Sequence, residues 1–489
     1  MKRSVIYKGL AILAVLAAQP APADTLRQAL INAYRTNPSL TGARASLRAT
    51  DEGVPIAKAA ARPNASATAD YQEYVMRSAN SFSAPLRAAN ASANLSFPLY
   101  QGGRVANAIK AADARVESGR AGLRSTEADT FTAVVAAYVD VLRDSAIVTL
   151  NERNVGVLEA NLQASRDRFE VGDLTRTDVA QSEARLSGAR GQLETARAQL
   201  DASLENYLRI VGMPADALEQ PPELPGLPDS ADDAVDIAVA NNPLLLAAKA
   251  DAKAVGFDTK VAAASRLPRL SAVASSGYNN YLGSLNSTLP GRVFQQVQTT
   301  ATVGLSATVP LYQGGLPSAQ VRRAQALESQ ALEQIVFAER RVVAETRAAF
   351  SRHRAALVVI QASLSAVSAN ALALEGVRAE NTVGTRNVLD MLNAEQELLN
   401  SKVQLVTARR DAYVAGFSLL AAMGRAEAAD LNLSRGALFE QGLGAPVPQP
   451  ALKSGADDQD AVVPPGDASV AARGSATTVV GLPTAGGPR

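Results

Sequence analysis

The sequence predicts a mixed α/β membrane protein that is mainly α-helical and contributes four strands to a β-barrel completed by other copies of the chain. Three observations predict this fold class. The chain contains two copies of one unit, each copy has helical runs too long for a globular core, and each copy also has paired stretches with the residue alternation of strands.

The composition limits the possible functions. Among 489 residues, 47% are hydrophobic but only 4% are aromatic, so the apolar content is mostly Ala, Leu and Val, which suit closely packed helices. The net charge of +1 gives no reason to expect a nucleic-acid partner. With no Cys and one His, the chain lacks Cys-based and multi-His metal sites, and no nucleophile–base set predicts an enzyme or a cofactor.

The first 23 residues have the pattern of a cleaved signal peptide. Three basic residues precede an apolar run over Leu10–Ala18, and an Ala21-x-Ala23 signal precedes Asp24. The apolar run is about half the roughly 20 residues that a spanning helix needs. We therefore expect export and a mature protein that begins at Asp24.

The hexapeptide PLYQGG occurs at Pro98–Gly103 and again at Pro310–Gly315, an offset of 212 that holds to the end of each copy. Upstream of the strands the offset is 205, as between Asn37 and Asn242. The predicted organisation is a signal peptide over 1–23, a first repeat over 24–212, a Pro-rich linker over 213–233, a second repeat over 234–435 and a disordered C-terminal tail over 436–489.

Alternating residues ahead of each hexapeptide predict strands. Apolar and small polar residues alternate over 91–99 and 301–311, and weaker partner strands precede them over 65–74 and 270–278. Strands of about 10 residues with one apolar face match membrane-spanning strands. Open edges are not tolerated in lipid, so other chains must complete the barrel, with eight strands from two chains or twelve from three.

After each hexapeptide the hydrophobic spacing becomes helical. The run from Gly103 to Gly172 predicts a helix of about 100 Å, at 1.5 Å per residue. Glycines at Gly172 and Gly384 break the runs, and a second helix returns in each copy. The single histidine, His353, falls on the apolar seam, which favours packing over a ligand role.

These features together resemble the TolC family of outer-membrane channel-tunnels over about residues 24–435. The residues that carry the resemblance are PLYQGG and the return turn VGTRNVLDMLNAEQELL, and the ending MGRAEAADLNL is similar to the branch that serves type I protein secretion. The resemblance implies a homotrimer with a twelve-stranded outer-membrane β-barrel, continued into the periplasm by a long α-helical barrel. It also implies that the linker packs in a belt around the helices.

The resemblance implies an outer-membrane exit duct that works passively in a tripartite export machine. The implied partners are outer-membrane lipid, a periplasmic adaptor protein and an inner-membrane ABC or RND-type transporter, with proteins or drugs as cargo. The alternative is a soluble periplasmic coiled-coil scaffold or adaptor, to which the long helices alone would also be suited.

The resemblance places a gate and the adaptor-docking tips at the helix turns around Gly172 and Gly384. The implied gate residues are Thr177, Asp178, Arg386, Asp390 and Asn393. Asp390 matches the first carboxylate of a constricting ring, but the second position is Asn393, and Asn381 occupies the position of a linking tyrosine. We therefore expect a weaker cation preference and fewer links. The alternative for both aspartates is stabilisation of a helix N-terminus through its dipole.

The two hexapeptides predict joints between strand and helix. The proline is expected to end strand pairing, the leucine and tyrosine to lie at the inner membrane interface, and the glycines to let the backbone turn into the helix. The joint residues are Pro98, Tyr100, Gly102, Gly103, Pro310, Tyr312, Gly314 and Gly315.

Overall fold

The computed structural model describes residues 25–76, 85–285, 291, 293–431 and 433. The predicted signal peptide over 1–23 and the predicted tail over 436–489 lie outside these residues.

The first half of the chain has three short helices, two strands and two long helices. They are α1 (Leu26–Thr36), α2 (Pro38–Asp51), α3 (Gly53–Ala59), β1 (Asn64–Glu73), β2 (Arg87–Tyr100), α4 (Arg104–Glu170) and α5 (Arg176–Val211). The second half repeats the order, with one continuous helix in the place of α2 and α3. Its elements are α6 (Ala231–Asn241), α7 (Pro243–Ala263), β3 (Arg269–Asn280), β4 (Val297–Thr308), α8 (Leu316–Thr382) and α9 (Val388–Ala422).

The four strands form one antiparallel sheet in the order β1-β2-β3-β4. Asn64 pairs with Ser96 in the first hairpin, and Arg269 pairs with Thr308 in the second. These two pairs are equivalent under the offsets of 205 and 212, so the two hairpins have the same register. β2 and β3 join the halves, which leaves β1 and β4 as edges in the described part of one chain.

The prediction that Pro98 ends strand pairing is wrong in the first half. Pairing of β2 with β1 ends at Ser96, but pairing with β3 continues through Pro98 to Tyr100 across an irregularity. A proline removes one N–H donor and leaves its carbonyl, so a strand can continue past it where the ladder is irregular. In the second half β4 ends at Thr308, before the equivalent Pro310.

Two helices of 67 residues, α4 and α8, dominate the molecule and extend about 100 Å each. Each starts at a glycine in the left-handed region, Gly103 with φ 78° and Gly315 with φ 81°. A residue with a Cβ rarely adopts this conformation, so the paired glycines let a strand turn directly into a helix.

The main core lies around the middle of α4, where α1, the end of α5 and the end of α9 meet it. Its largest fully buried side chains include Phe131, Tyr138, Tyr207 and Phe417. Tyr138 also donates a hydrogen bond from its hydroxyl to the carbonyl of Glu219, at 2.7 Å, in the segment between α5 and α6. The core therefore anchors this connecting segment as well as the helices.

A second tyrosine, which lies on α9, also holds the segment between α5 and α6. The Tyr413 hydroxyl donates to the carbonyl of Pro222 at 3.1 Å, and burial raises the pKa of Tyr413 to about 12. His353 packs beside Gly416 in the same region, and its Nδ1 has no hydrogen-bond partner among the described residues. This arrangement is the packing role expected for the single histidine.

Candidate functional site

The turn between α4 and α5 is held by a reciprocal hydrogen-bond cap. Gly172 has φ 83°, and α5 begins after Thr175, whose side chain accepts from the backbone N–H of Asp178. The Asp178 carboxylate in turn accepts from the Thr175 backbone at 2.9 Å and from its hydroxyl at 2.7 Å. Because these bonds favour the charged carboxylate, the pKa of Asp178 is lowered. Thr177 lies exposed beside it.

The turn between α8 and α9 is equivalent, but its aspartate makes different bonds. The Asn387 side chain caps α9 by accepting from the backbone N–H of Asp390 at 2.7 Å. The Asp390 carboxylate instead lies 3.8 Å from Arg386, which is bonded to Glu380 at 2.8 Å. The neighbouring carboxylates, Glu380 first, raise the pKa of Arg386. The Asp390 carboxylate therefore takes no part in a helix cap, and it lies beside the exposed guanidinium of Arg386.

The two return helices, α5 and α9, are linked inside one chain through Asn393. Arg185 on α5 donates to the Asn393 side-chain oxygen at 2.6 Å. In the described residues of a single chain, Asp178 and Arg386 are bonded within their own turns and not to each other. A link between these two residues would therefore require movement of the turns or a second chain.

The sequence did not single out the buried carboxylate of Glu395. This side chain is 5% exposed, accepts from Arg378 at 3.0 Å and accepts from Asn161 at 3.1 and 2.9 Å. The bonds join α4, α8 and α9 a few helical turns from the α8–α9 turn. The available signal was spacing, because Glu395 lies between Leu392 and Leu399 on the apolar seam, where a charge needs partners.

A small apolar cluster near the turns packs the two hairpins together. Its buried members are Leu158, Leu162, Leu186, Ala189, Val388 and Leu392. These residues come from α4, α5 and α9, so the tip is a packed end of both hairpins. The turns themselves lie beyond this cluster and are exposed.

The sheet has one apolar and one polar face, as the alternation predicted. Val303 and Leu305 on the apolar face are 90% and 71% exposed. On the polar face, hydroxyls of neighbouring strands bond at 2.9 Å between Thr68 and Ser92. Asp70 lies on the same polar face and accepts from Asn90 at 2.8 Å. The apolar face therefore suits lipid, and the polar face suits an aqueous lumen.

Among the described residues, no three His, Asp or Glu side chains are grouped so that they could hold a metal ion. Within the described part of the chain, one helix, α8, contains a stretch that is long and apolar enough to cross a membrane, and 11% of that stretch is buried. The long helices therefore leave an exposed apolar surface on α8.

A sequence model described as outer membrane efflux protein matches residues 28–213 and 234–425. The chain belongs to the outer membrane efflux protein family. It is 34% identical over 419 residues to the outer membrane efflux protein BepC of Brucella suis, covering 86% of this chain and 89% of BepC. It is 28% identical to the alkaline protease secretion protein AprF of Pseudomonas aeruginosa, covering 63% and 64% of the two chains.

The fold of this family member also matches solved outer-membrane proteins. The crystal structure of VceC from Vibrio cholerae aligns with a TM-score of 0.68 at 21% identity, covering 82% of this chain and 96% of VceC. The predicted family and fold class are confirmed.

The chain is therefore an export channel of the outer membrane, in a family of channel proteins. The predicted function and outer-membrane location are confirmed. These findings set aside the soluble periplasmic scaffold as an alternative.

Proposed function

We propose that three copies of this family member form one continuous duct, with a twelve-stranded barrel in the outer membrane and an α-helical barrel in the periplasm. The observation that carries the proposal is the four-stranded sheet, whose edge strands β1 and β4 each pair on one side within the described chain. Unpaired backbone groups are costly in lipid, so the edges must be joined by other chains. The exposed apolar face of the strands supports a lipid environment.

Closure by a ring of identical chains requires each β4 to meet the β1 of the next chain. Such head-to-tail contacts close when the rotation between chains completes a circle. Four strands per chain then give a barrel of twelve. The polar face, with Asp70 and the hydroxyl ladder, would line the duct in all copies.

The exposed turns at Gly172 and Gly384 are proposed as the periplasmic tips, where an adaptor protein docks and the duct closes. Asp390 would contribute one carboxylate per chain to the constriction, and Arg386 would restrain it. Asn393 would contribute no charge and is held by Arg185. With Thr177 and Asp178 in the neighbouring turn, these residues form the proposed gate. The segment over 213–233 would pack in a belt around the helices.

The cargo and the energised partner are proposed from the named relatives. BepC is an efflux protein and AprF a secretion protein for alkaline protease. We infer that the duct receives substrates from an ABC or RND-type inner-membrane transporter through the adaptor. The ending MGRAEAADLNL favours type I protein secretion among these routes.

Purified protein tests the duct directly. In detergent, light scattering should give the mass of a trimer, and in planar bilayers the protein should form discrete single channels. A monomer without channel activity would contradict the proposal.

Deletion of the gene separates the two cargo classes. Retention of a secreted protein inside the cell would support protein secretion, and increased sensitivity to drugs would support efflux. A deletion strain that shows neither change would contradict both proposed routes.

A further inference from the structure

We propose that Glu127 and Glu427 form a proton-sensitive clasp, which holds the chain after α9 against α4 more firmly as the solution becomes mildly acidic. The chain after α9 is here the segment 425–431, which follows the left-handed Gly424. It belongs to the ending MGRAEAADLNL, whose charged side chains the proposed duct does not use. The clasp would act within one chain, whatever the number of chains in the duct.

The segment is fixed to α4 by a carboxylate from each side. Glu127 on α4 accepts from the backbone N–H of Ala428 at 2.6 Å. In the other direction, Glu427 accepts from the guanidinium of Arg124 on α4 at 2.6 Å. Ala426 and Ala428 are 0% and 6% exposed and belong to the main core. Movement of the segment away from α4 would therefore break both bonds and uncover part of this core.

The charges that face Glu127 leave it without an ion pair of its own among the described residues. Glu427 repels it, and the guanidiniums of Arg44 and Arg124 attract it. Arg44 on α2 is engaged elsewhere, because it donates to the Tyr34 carbonyl at 2.9 Å and lies 4.1 Å from the centre of the Tyr34 ring. Arg124 is bonded to Glu427. The segment is thus held to Glu127 by a neutral N–H.

Glu427 also has a second carboxylate as a neighbour. Its side chain is 14% exposed, and Asp430 of the same segment repels it. A cavity of about 470 Å³ beside the two carboxylates is also lined by Arg124 and Arg425. Arg425 is exposed, so water and salt screen its charge. Docking of the segment therefore brings carboxylates together where water is partly excluded.

Both carboxylates of the clasp bind a proton more tightly than a carboxylate in water does. Desolvation by burial raises the pKa of Glu127; the bond from Ala428 acts against this, and repulsion by Glu427 adds to it. Desolvation likewise raises the pKa of Glu427, although Arg124 acts against it. A segment released into water would return Glu427 towards its ordinary value of 4.5.

A carboxylate whose pKa is higher in the docked segment than in the released one takes up protons as the segment docks. Docking is therefore strongest below the ordinary pKa of 4.5, and it weakens as the pH rises through the raised values. This direction is opposite to that of Asp178, whose lowered pKa makes its cap weaker in acid.

The duplication does not repeat the clasp. Under the offset of 212, Glu127 corresponds to Glu339 on α8, and Glu427 corresponds to Ala215 after α5. Glu339 is exposed to water. A glutamate at this position of the long helix is therefore present in both halves, but only Glu127 meets a second carboxylate from the end of a return helix. Glu339 provides a matched control.

Hydrogen–deuterium exchange of the purified full chain, followed by mass spectrometry, tests the clasp. The peptide over 426–431 contains the amide of Ala428 that is bonded to Glu127. After correction for the intrinsic exchange rate at each pH, its protection factor should rise by about threefold to tenfold between about pH 8 and about pH 5.5. Protection that is unchanged or lower at the acidic pH would overturn the clasp.

The turn before α5 gives an internal reference in the same experiment. Asp178 also accepts from a backbone N–H, that of Thr175 at 2.9 Å, but its pKa is lowered. Its charge is therefore constant over this pH range, and so should be the protection of a peptide over 173–180. A rise there equal to that over 426–431 would show a general effect of pH and overturn the clasp.

Two variants separate the clasp from other titrating groups. Glu127→Gln removes the charge and keeps an oxygen that can accept from Ala428, so protection over 426–431 at about pH 8 should approach that of the natural chain at about pH 5.5. Glu339→Gln makes the same change at the exposed equivalent and should behave as the natural chain does. The same pH dependence in Glu127→Gln as in the natural chain would overturn the role of Glu127.

Helical circular dichroism equal to that of the natural chain establishes that Glu127→Gln is folded. If this variant does not fold, Glu427→Gln provides the same test, because it changes the segment and leaves the long helix intact. It should also reduce the pH dependence of protection over 426–431, and an undiminished dependence would overturn the clasp.

Discussion

Asp178 and Asp390 occupy equivalent positions in the two hairpin turns but have different bonds. The Asp178 carboxylate forms a reciprocal helix cap with Thr175. This cap favours the alternative that Asp178 stabilises the N-terminus of α5. Asp390 has its cap supplied by Asn387 and faces Arg386 instead. Of the two, Asp390 is the better candidate for the proposed constriction, because its carboxylate takes no part in a helix cap.

We expect Arg386→Ala to increase the fraction of open channels. The variant removes the exposed guanidinium that bonds to Glu380 and faces Asp390, so the turn loses a restraint and the open population should rise by up to about fivefold. The measurement is single-channel current in planar bilayers. Arg341→Ala is the matched control, because Arg341 forms an equally short and equally exposed ion pair with Glu345 on the same helix. Equal currents in both variants would count against Arg386 as a gate residue.

At the scale of elements, the return helices of the two halves, α5 and α9, end in the same way, each at a glycine in the left-handed region. Gly212 after α5 has φ 81°, and Gly424 after α9 has φ 72°. Asn37 donates to the carbonyl of Ile210 at 3.0 Å, and the equivalent Asn242 donates to the carbonyl of Ala422 at 2.8 Å. Each joint therefore fixes the end of a long helix against the short helices of its own half.

Gly424→Ala should destabilise the protein strongly. A Cβ there would lie 2.5 Å from the carbonyl oxygen of Asn241, and backbone cannot move aside as a side chain can. Gly384→Ala is the control, because Gly384 has φ 79° but nothing within 4 Å of an added Cβ. The control should lose about 1–2 kcal/mol from the left-handed conformation alone. Thermal unfolding followed by helical circular dichroism should show a larger loss for Gly424→Ala, and equal losses would exclude the close approach as the cause.

At the scale of the whole molecule, the charges on the polar face act together only when the barrel is closed. Asp70 on β1 and Arg269 at the start of β3 are the ionisable residues on this face of the described strands. Symmetry would place one Asp70 per chain at the same height in the lumen. Rings of carboxylates favour cations in channels.

We expect Asp70→Asn to lower the preference for cations. The K⁺/Cl⁻ permeability ratio, obtained from reversal potentials, should fall by about twofold at ~0.1 M salt, where fields are screened beyond about 10 Å. Glu73→Gln removes the same charge from the same strand but on the opposite face, so it should leave the ratio unchanged. A larger effect from Glu73 than from Asp70 would reverse the assignment of the two faces.

Much of this architecture could be predicted from the sequence, because periodicity depends on local geometry. The alternation over 91–99 predicted β2, and the run between Gly103 and Gly172 predicted α4 to within a few residues. Glu395 was missed because its partners come from two other helices, Asn161 on α4 and Arg378 on α8. The continuation of β2 past Pro98 was missed because β3, far along the chain, provides the pairing.

The sequence by itself determined the duplication, the length of the helices, the two faces of the strands and the resemblance to a channel family. Spacing and repetition along the chain are sufficient for these features, since each residue's local conformation sets them. Only the tertiary structure decided that Asp178 completes a helix cap while Asp390 faces a guanidinium, and that β2 continues past Pro98. Those differences depend on which neighbours surround equivalent residues, and the same sequence motif has different neighbours in the two halves of the chain.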